Sequence, residues 1–173
     1  MITLFRAGIL TASDRSHRGE REDKSGLLLR SLIVDLPAEV IAYHVLPDEK
    51  EKIKRMLIHM ADNFGCDFIL TTGGTGLAPR DVTPEATREI LDREIPGMAE
   101  AVRAAGMLMK PAAMLSRGLA GVRGKTLIIN LPGSPKAVED SFQIIQPVLV
   151  HAIQLIRGEV NDCQTSPLEK IKI

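Results

Sequence analysis

Thr71-Thr72-Gly73-Gly74-Thr75-Gly76-Leu77-Ala78-Pro79-Arg80-Asp81 sets three glycines in four positions among hydroxyls, an arginine and a carboxylate. Without Cβ atoms, such a loop lets backbone N–H groups close on an anion. It is not a Walker loop, because no Gly-Lys-Ser/Thr follows. Nor is it a dinucleotide fingerprint: Gly74-x-Gly76 runs on to Pro79 where a glycine or alanine is required. The plain alternative is a surface turn. A second anion-directed stretch is Asn130-Leu131-Pro132-Gly133-Ser134-Pro135-Lys136. Ser134 before Pro135 reads as an N-cap with proline at the first helical position. The free N–H groups and dipole of that helix end suit a phosphate, with Lys136 close by, although an N-cap alone needs no ligand.

Carboxylates stand beside these loops. Asp48 and Asp81 could each cap a following helix, near Glu49 and Thr83 respectively. Two carboxylates at one sheet edge, facing phosphate loops, would instead repel the ligand unless a divalent cation joined them, and oxygen donors favour Mg²⁺. Arg80 is either a phosphate partner or a solvated charge, and Ser116-Arg117 offers a hydroxyl beside a guanidinium or simply the start of a loop. The four histidines show no metal-ligand spacing, and Cys66 and Cys163 are isolated thiols.

These residues need a scaffold that gathers them. Leu4 to Thr11 is short and apolar and ends in Ser13-Asp14, as a strand would. From Ser25, Leu28, Leu29, Leu32, Ile33 and Leu36 follow helical spacing up to Pro37. Glu39 to Leu46 is strand-like, Ile53 to Ala61 helical, and Asp67 to Thr72 a strand that runs into the glycines. Helices are expected from Pro84 to Leu91 and from Pro96 to about Met109, the latter with Met98, Ala101, Val102, Ala105, Leu108 and Met109 on one side. Leu119 to Leu131 reads as a hairpin around Arg123-Gly124-Lys125. A long helix then carries Val138, Phe142, Ile145, Leu149, Ala152 and Ile156, with Pro147 expected to kink it. The strand–helix alternation predicts an α/β fold: three α/β/α layers around a mostly parallel sheet with an added hairpin. Ligands of such sheets bind beyond the carboxyl ends of the strands, where these loops lie.

Composition agrees. The 173 residues are 45% hydrophobic and 25% charged, which suits one globular domain, expected over 1–158 with a tail over 159–173. Twenty-two basic side chains balance twenty-two acidic ones, which argues against nucleic acid and anionic membrane surfaces as partners. Four Phe and one Tyr are too few for a base-stacking platform. No apolar run spans a bilayer and no secretory peptide reads out, so a cytoplasmic protein is expected.

Taken together, Thr11-Ala12-Ser13-Asp14, Asp23-Lys24-Ser25-Gly26, Leu46-Pro47-Asp48-Glu49, Thr71 to Ala86, Leu115-Ser116-Arg117 and Asn130 to Lys136 resemble the molybdopterin adenylyltransferase (Mog/MoaB-type) family of molybdenum-cofactor biosynthesis. Related domains occur in proteins such as gephyrin. The stretches fall in the family's order from Leu4 to Gly158, and the GGTG…RDVTPEA block with the later LPGSP is specific. Leu27 and Leu77 depart from the proline and phenylalanine that many members carry.

The resemblance implies a molybdopterin-binding-domain fold, a homotrimer, and AMP transfer from Mg-ATP to the terminal phosphate of molybdopterin with release of pyrophosphate. It implies catalytic and Mg²⁺-binding roles for Asp48 and Asp81. Gly73, Gly74, Thr75, Gly76, Ser116, Asn130, Pro132, Gly133 and Ser134 would line the nucleotide and pterin sites, with Asp14 and Ser25 more peripheral. A downstream molybdenum-insertion protein is a further expected partner. A non-catalytic pterin-binding or scaffold member, a nucleotide-hydrolysing relative and a purely structural trimer are the rival readings.

Overall fold

A computed structural model of the chain describes residues 4–160. Cys163 and the tail expected after Gly158, apart from Glu159 and Val160, lie outside the described residues. Six strands, β1 (Phe5–Ala12), β2 (Ala38–Leu46), β3 (Phe68–Thr72), β4 (Arg93–Glu94), β5 (Ala120–Arg123) and β6 (Thr126–Leu131), form one sheet in the order β2-β1-β3-β6-β5-β4. Strands β2, β1, β3 and β6 are parallel, while β5 runs antiparallel to both its neighbours. The helices are α1 (Asp14–His17), α2 (Lys24–Ile33), α3 (Lys50–Asp62), α4 (Thr83–Arg88), α5 (Pro96–Met109) and α6 (Pro135–Arg157), with a 3-10 turn over Pro111–Leu115. None is long and apolar enough to cross a membrane among the described residues.

Strand periodicity splits the core into two layers. Phe5, Ala7, Ile9, Phe68, Leu70, Leu127 and Ile129 face Leu29 and Ile33 of α2 and Val138, Phe142, Ile145 and Leu149 of α6. The intervening Leu10, Ala12, Ile69 and Ile128 face Ile53, Leu57 and Met60 of α3 and Ala86 of α4. Every residue of β3 is buried, as a central parallel strand covered on both faces requires. This is the α/β/α arrangement and the mostly parallel sheet with a hairpin that the chain order predicts. The hairpin turns on Gly124 and Lys125, with Gly124 at φ 56° and Arg123 opposite Thr126.

One local feature differs from the expectation. The helix after Pro84 ends at Arg88, and the chain makes the two-residue edge strand β4 instead of continuing to Leu91. Helix α5 has the expected bounds; Met98 and Val102 of its stripe pack against the core, while Leu108 and Met109 are 88% and 75% exposed. Helix α6 is continuous past Pro147, capped at its start by Ser134 and stopped by Gly158 at φ 74°.

Candidate active site

Strand order reverses between β1 and β3, the place where a doubly wound sheet opens a crevice at its carboxyl edge. A pocket of about 530 Å³ lies there. Its walls come from the ends of β1 (Ala12, Ser13) and β3 (Thr72, Gly73, Gly74), from Asp48 after β2, from Gly133 and Ser134 after β6, and from Asp81 and the 21–25 segment.

Asp48 is not a helix cap: α3 begins at Lys50 with Glu49 in the N-cap position and no capping side-chain bond. Its Oδ2 accepts the Asp14 amide at 2.9 Å, and its own amide donates to Asp14 Oδ1 at 3.1 Å. Arg80 closes the group by donating Nε and Nη2 to the two Asp14 oxygens at 2.5 and 2.8 Å. The hydrogen bond from Arg80 lowers the Asp14 pKa to about 2. Asp48 moves the other way. Partial burial raises its pKa above the usual Asp value, and the negative charges of Asp14 and Asp81 push in the same direction.

Asp81 also leaves its helix uncapped; α4 starts after Val82 without a side-chain bond. Asp81 Oδ2 accepts the Ala78 amide at 2.9 Å, which folds the loop tip back on itself. The loop glycines are there for conformation and for space. Gly73 and Gly74 sit at φ 91° and 65°, in the left-handed region that side chains resist. A Cβ on Gly74 would stand 2.3 Å from Thr83 Oγ1 and 3.3 Å from Asp48 Oδ1, and one on Gly76 would stand 2.8 Å from Asp81 Oδ2. The bare backbone therefore keeps the space before both carboxylates clear. Thr83 Oγ1 is buried beside Gly74 and finds no hydrogen-bond partner among the described residues.

The turn leading into α6 is braced from two sides: Ser25 Oγ donates to Gly133 O and Thr72 Oγ1 to Pro132 O, each at 2.7 Å. The Ser134 hydroxyl accepts the Ala137 amide at 3.4 Å, so it is a working N-cap at the pocket wall. Lys136 turns away, pairing with Asp140 at 2.8 Å on its own helix.

Of the residues named from sequence, Ser25, Asp48, Gly73, Gly74, Asp81, Gly133 and Ser134 share this pocket. Asp14 reaches it through Asp48, and Gly76 and Pro132 belong to the loops that shape it. Thr75 and Asn130 are buried. The Asn130 amide donates to Thr71 Oγ1 and Thr87 Oγ1 at 2.9 and 3.0 Å, tying β6 to β3 and α4. Ser116 lines a separate depression of about 360 Å³ between α4 and α5.

Two cations were missed. Arg21 and Lys24, both exposed, line the same pocket as Asp81. Lys24 stands in the quoted Asp23-Lys24-Ser25-Gly26 stretch, which was the available signal. Asp23, between them, caps α2 through the Gly26 amide at 3.0 Å and accepts the Thr11 hydroxyl at 2.6 Å and that of Tyr43. Burial and the Asp23 contact raise the Tyr43 phenol above its usual pKa, so it stays a donor.

A family described as "Probable molybdopterin binding domain" has a model that matches residues 8–151. The chain belongs to this family. Within the molybdopterin-binding domain family, a molybdopterin adenylyltransferase of Helicobacter pylori (strain J99) is 40% identical over 153 residues, 87% of each chain. That of Escherichia coli (strain K12) is 37% identical over 156 residues, 86% of this chain and 80% of its own. Among solved structures, the molybdopterin biosynthesis enzyme MoaB from Thermus thermophilus superposes with a TM-score of 0.85 at 57% identity, covering 90% of this chain and 98% of that one.

Proposed function

We propose that the chain is a molybdopterin adenylyltransferase of molybdenum-cofactor biosynthesis. It would join AMP from ATP to the terminal phosphate of molybdopterin. One phosphate oxygen of the pterin bonds to the α-phosphorus of ATP as the α–β bridging bond breaks, and pyrophosphate leaves with the electron pair. The observation that carries this reading is the meeting of Asp48 and Asp81 with the glycine loop and the α6 N-terminus in one pocket.

The chemistry asks little of a general base, because a phosphate monoester is already ionised near neutral pH. It asks instead for two anions to be held together and for charge on the leaving group to be met by fixed donors. The 73–76 backbone and the α6 N-terminus would orient phosphates, and Arg21 and Lys24 would offset their charge. Asp48 and Asp81 would hold Mg²⁺, which when bound supplies positive charge to the departing pyrophosphate. The donors fit that ion: they are oxygens, the glycines leave room before them, and one or two carboxylates plus substrate phosphates is the usual Mg²⁺ pattern. Among the described residues no group of three His, Cys, Asp or Glu side chains forms a cage of its own.

The same proposal includes a cytoplasmic homotrimer. It is supported by the uncovered apolar side of α5 and the 3-10 turn, where Leu108, Met109, Met114 and Leu115 are all exposed. Incubation with Mg-ATP and molybdopterin tests the activity. Adenylated pterin and pyrophosphate must accumulate in equal amounts; pterin binding without either product would make the chain a binding module instead.

A further inference from the structure

The tip of the glycine loop has nothing apolar to hold it. Leu77, Ala78, Pro79 and Arg80 are all exposed, so hydrogen bonds set its shape. One residue outside the loop reaches both of its ends. The Arg117 amide donates to Thr75 O at 2.9 Å. Its Nε donates to Gly76 O at 2.8 Å and its Nη2 to Asp81 O at 2.6 Å, while Nη1 meets the Glu85 carboxylate on α4. The guanidinium thus spans both feet of the loop and ties them to the helix that follows. Arg117 lines the depression behind the loop and not the pocket, so it approaches from the side away from Asp81's open face. It has its own support: Arg103 on α5 donates to Gly118 O at 2.8 Å.

A half-exposed ion pair with Glu85 would contribute little by itself. Two backbone carbonyls at the ends of one loop are a different kind of partner, because they need a planar fork with fixed donor directions rather than a charge. We infer that Arg117 is a positioning residue for adenylyl transfer, holding the Asp81 carboxylate where Asp48 faces it. The inference rests on the proposed role of Asp81.

Arg117→Lys and Arg117→Ala test it in the full chain, beside Asp81→Asn and the Arg117→Ala/Asp81→Asn double variant. Both Arg117 variants are expected to lower kcat about 100-fold, the scale of an ångström-level misplacement. The Mg²⁺ concentration for half-maximal rate should rise, while KM for molybdopterin stays within about 3-fold. The double variant should be no slower than Asp81→Asn alone, since both changes act on one group. Circular dichroism and thermal unfolding report the fold, and Arg117→Lys, which keeps charge and stem, serves if Arg117→Ala unfolds. Wild-type kcat in Arg117→Lys with Asp81→Asn inactive overturns the positioning role alone. A loss expressed only in KM for molybdopterin, with an unaltered Mg²⁺ dependence, overturns it too, by making Arg117 a substrate contact. Full activity in Asp81→Asn instead removes the underlying reading.

Discussion

Asp14 and Asp48 hold each other reciprocally, each carboxylate accepting the other's backbone amide, at 2.9 and 3.1 Å. The pair clips the end of β1 to the end of β2, so two loops that are 34 residues apart in sequence move as one. Arg80 adds the glycine loop to the same clip. The two carboxylates have opposite fates: Asp14 is neutralised by an arginine, and Asp48 is left half-buried among like charges.

That contrast sets the outcome of Asp48→Asn. Turnover should fall at least ~100-fold, the scale for a lost charge-stabilising group. Stability should change in the other direction. A carboxylate with a raised folded pKa favours the native state when protonated, and that contribution fades as pH rises through the folded pKa. The ligand-free variant should therefore melt above wild type at pH 7, with the difference vanishing below the ordinary Asp pKa of 3.8. A lower melting point at pH 7 would contradict the strain assigned to this site.

Asp14→Asn shifts the acid limb of kcat/KM. Removing a negative neighbour eases ionisation of Asp48, so activity should persist to lower pH than in wild type. Asp14 itself, lowered to about 2, gives its stabilising contribution above the unfolded value of 3.8 and loses it as pH falls toward 2. A pH–rate series on both proteins measures the limb; an upward shift counts against the coupling.

Gly74→Ala meets two obstacles together. The backbone at φ 65° is strained for alanine, at about 1–3 kcal/mol. The new methyl would also stand 2.3 Å from the buried Thr83 hydroxyl. Denaturant unfolding should show the loss of stability, and adenylyl transfer should fall with it. Gly124→Ala, also at positive φ but with open space around it, isolates the backbone part.

Leu108→Glu with Met109→Glu tests the assembly. Both side chains are largely exposed, so the fold should be unchanged by circular dichroism. Sedimentation velocity should report a trimer for wild type and a monomer for the variant. A trimer in both would move the interface away from α5.

Legibility in the sequence followed the physics of each signal. The alternation of short apolar strands with periodic helices made the layers readable, because both core faces impose their period on the chain. The glycine loop and Ser134-Pro135 were readable because positive φ and helix starts restrict residue choice. Helix α5 was readable in its bounds, but an apolar stripe declares a face without saying what covers it. The structural use of Asn130, whose amide ties β6 to Thr71 and Thr87, was not legible, because an amide serves a neighbouring strand as readily as a substrate. Arg21 and Lys24 were not read as pocket residues, and the guanidinium of Ser116-Arg117 was named without its carbonyl partners, because only the tertiary fold sets what a long cationic side chain meets.

Helix α6 starts with Ser134 at the pocket wall and ends with Arg157 gripping Asp67 on the opposite rim of the sheet at 3.0 Å through Nε. At about 1.5 Å per residue its 23 residues reach roughly 35 Å. Both ends are moored, and Pro147 between them lacks the N–H that would stiffen the middle. One helix therefore ties the far rim of the sheet, at Arg157 and Asp67, to the wall of the pocket at Ser134.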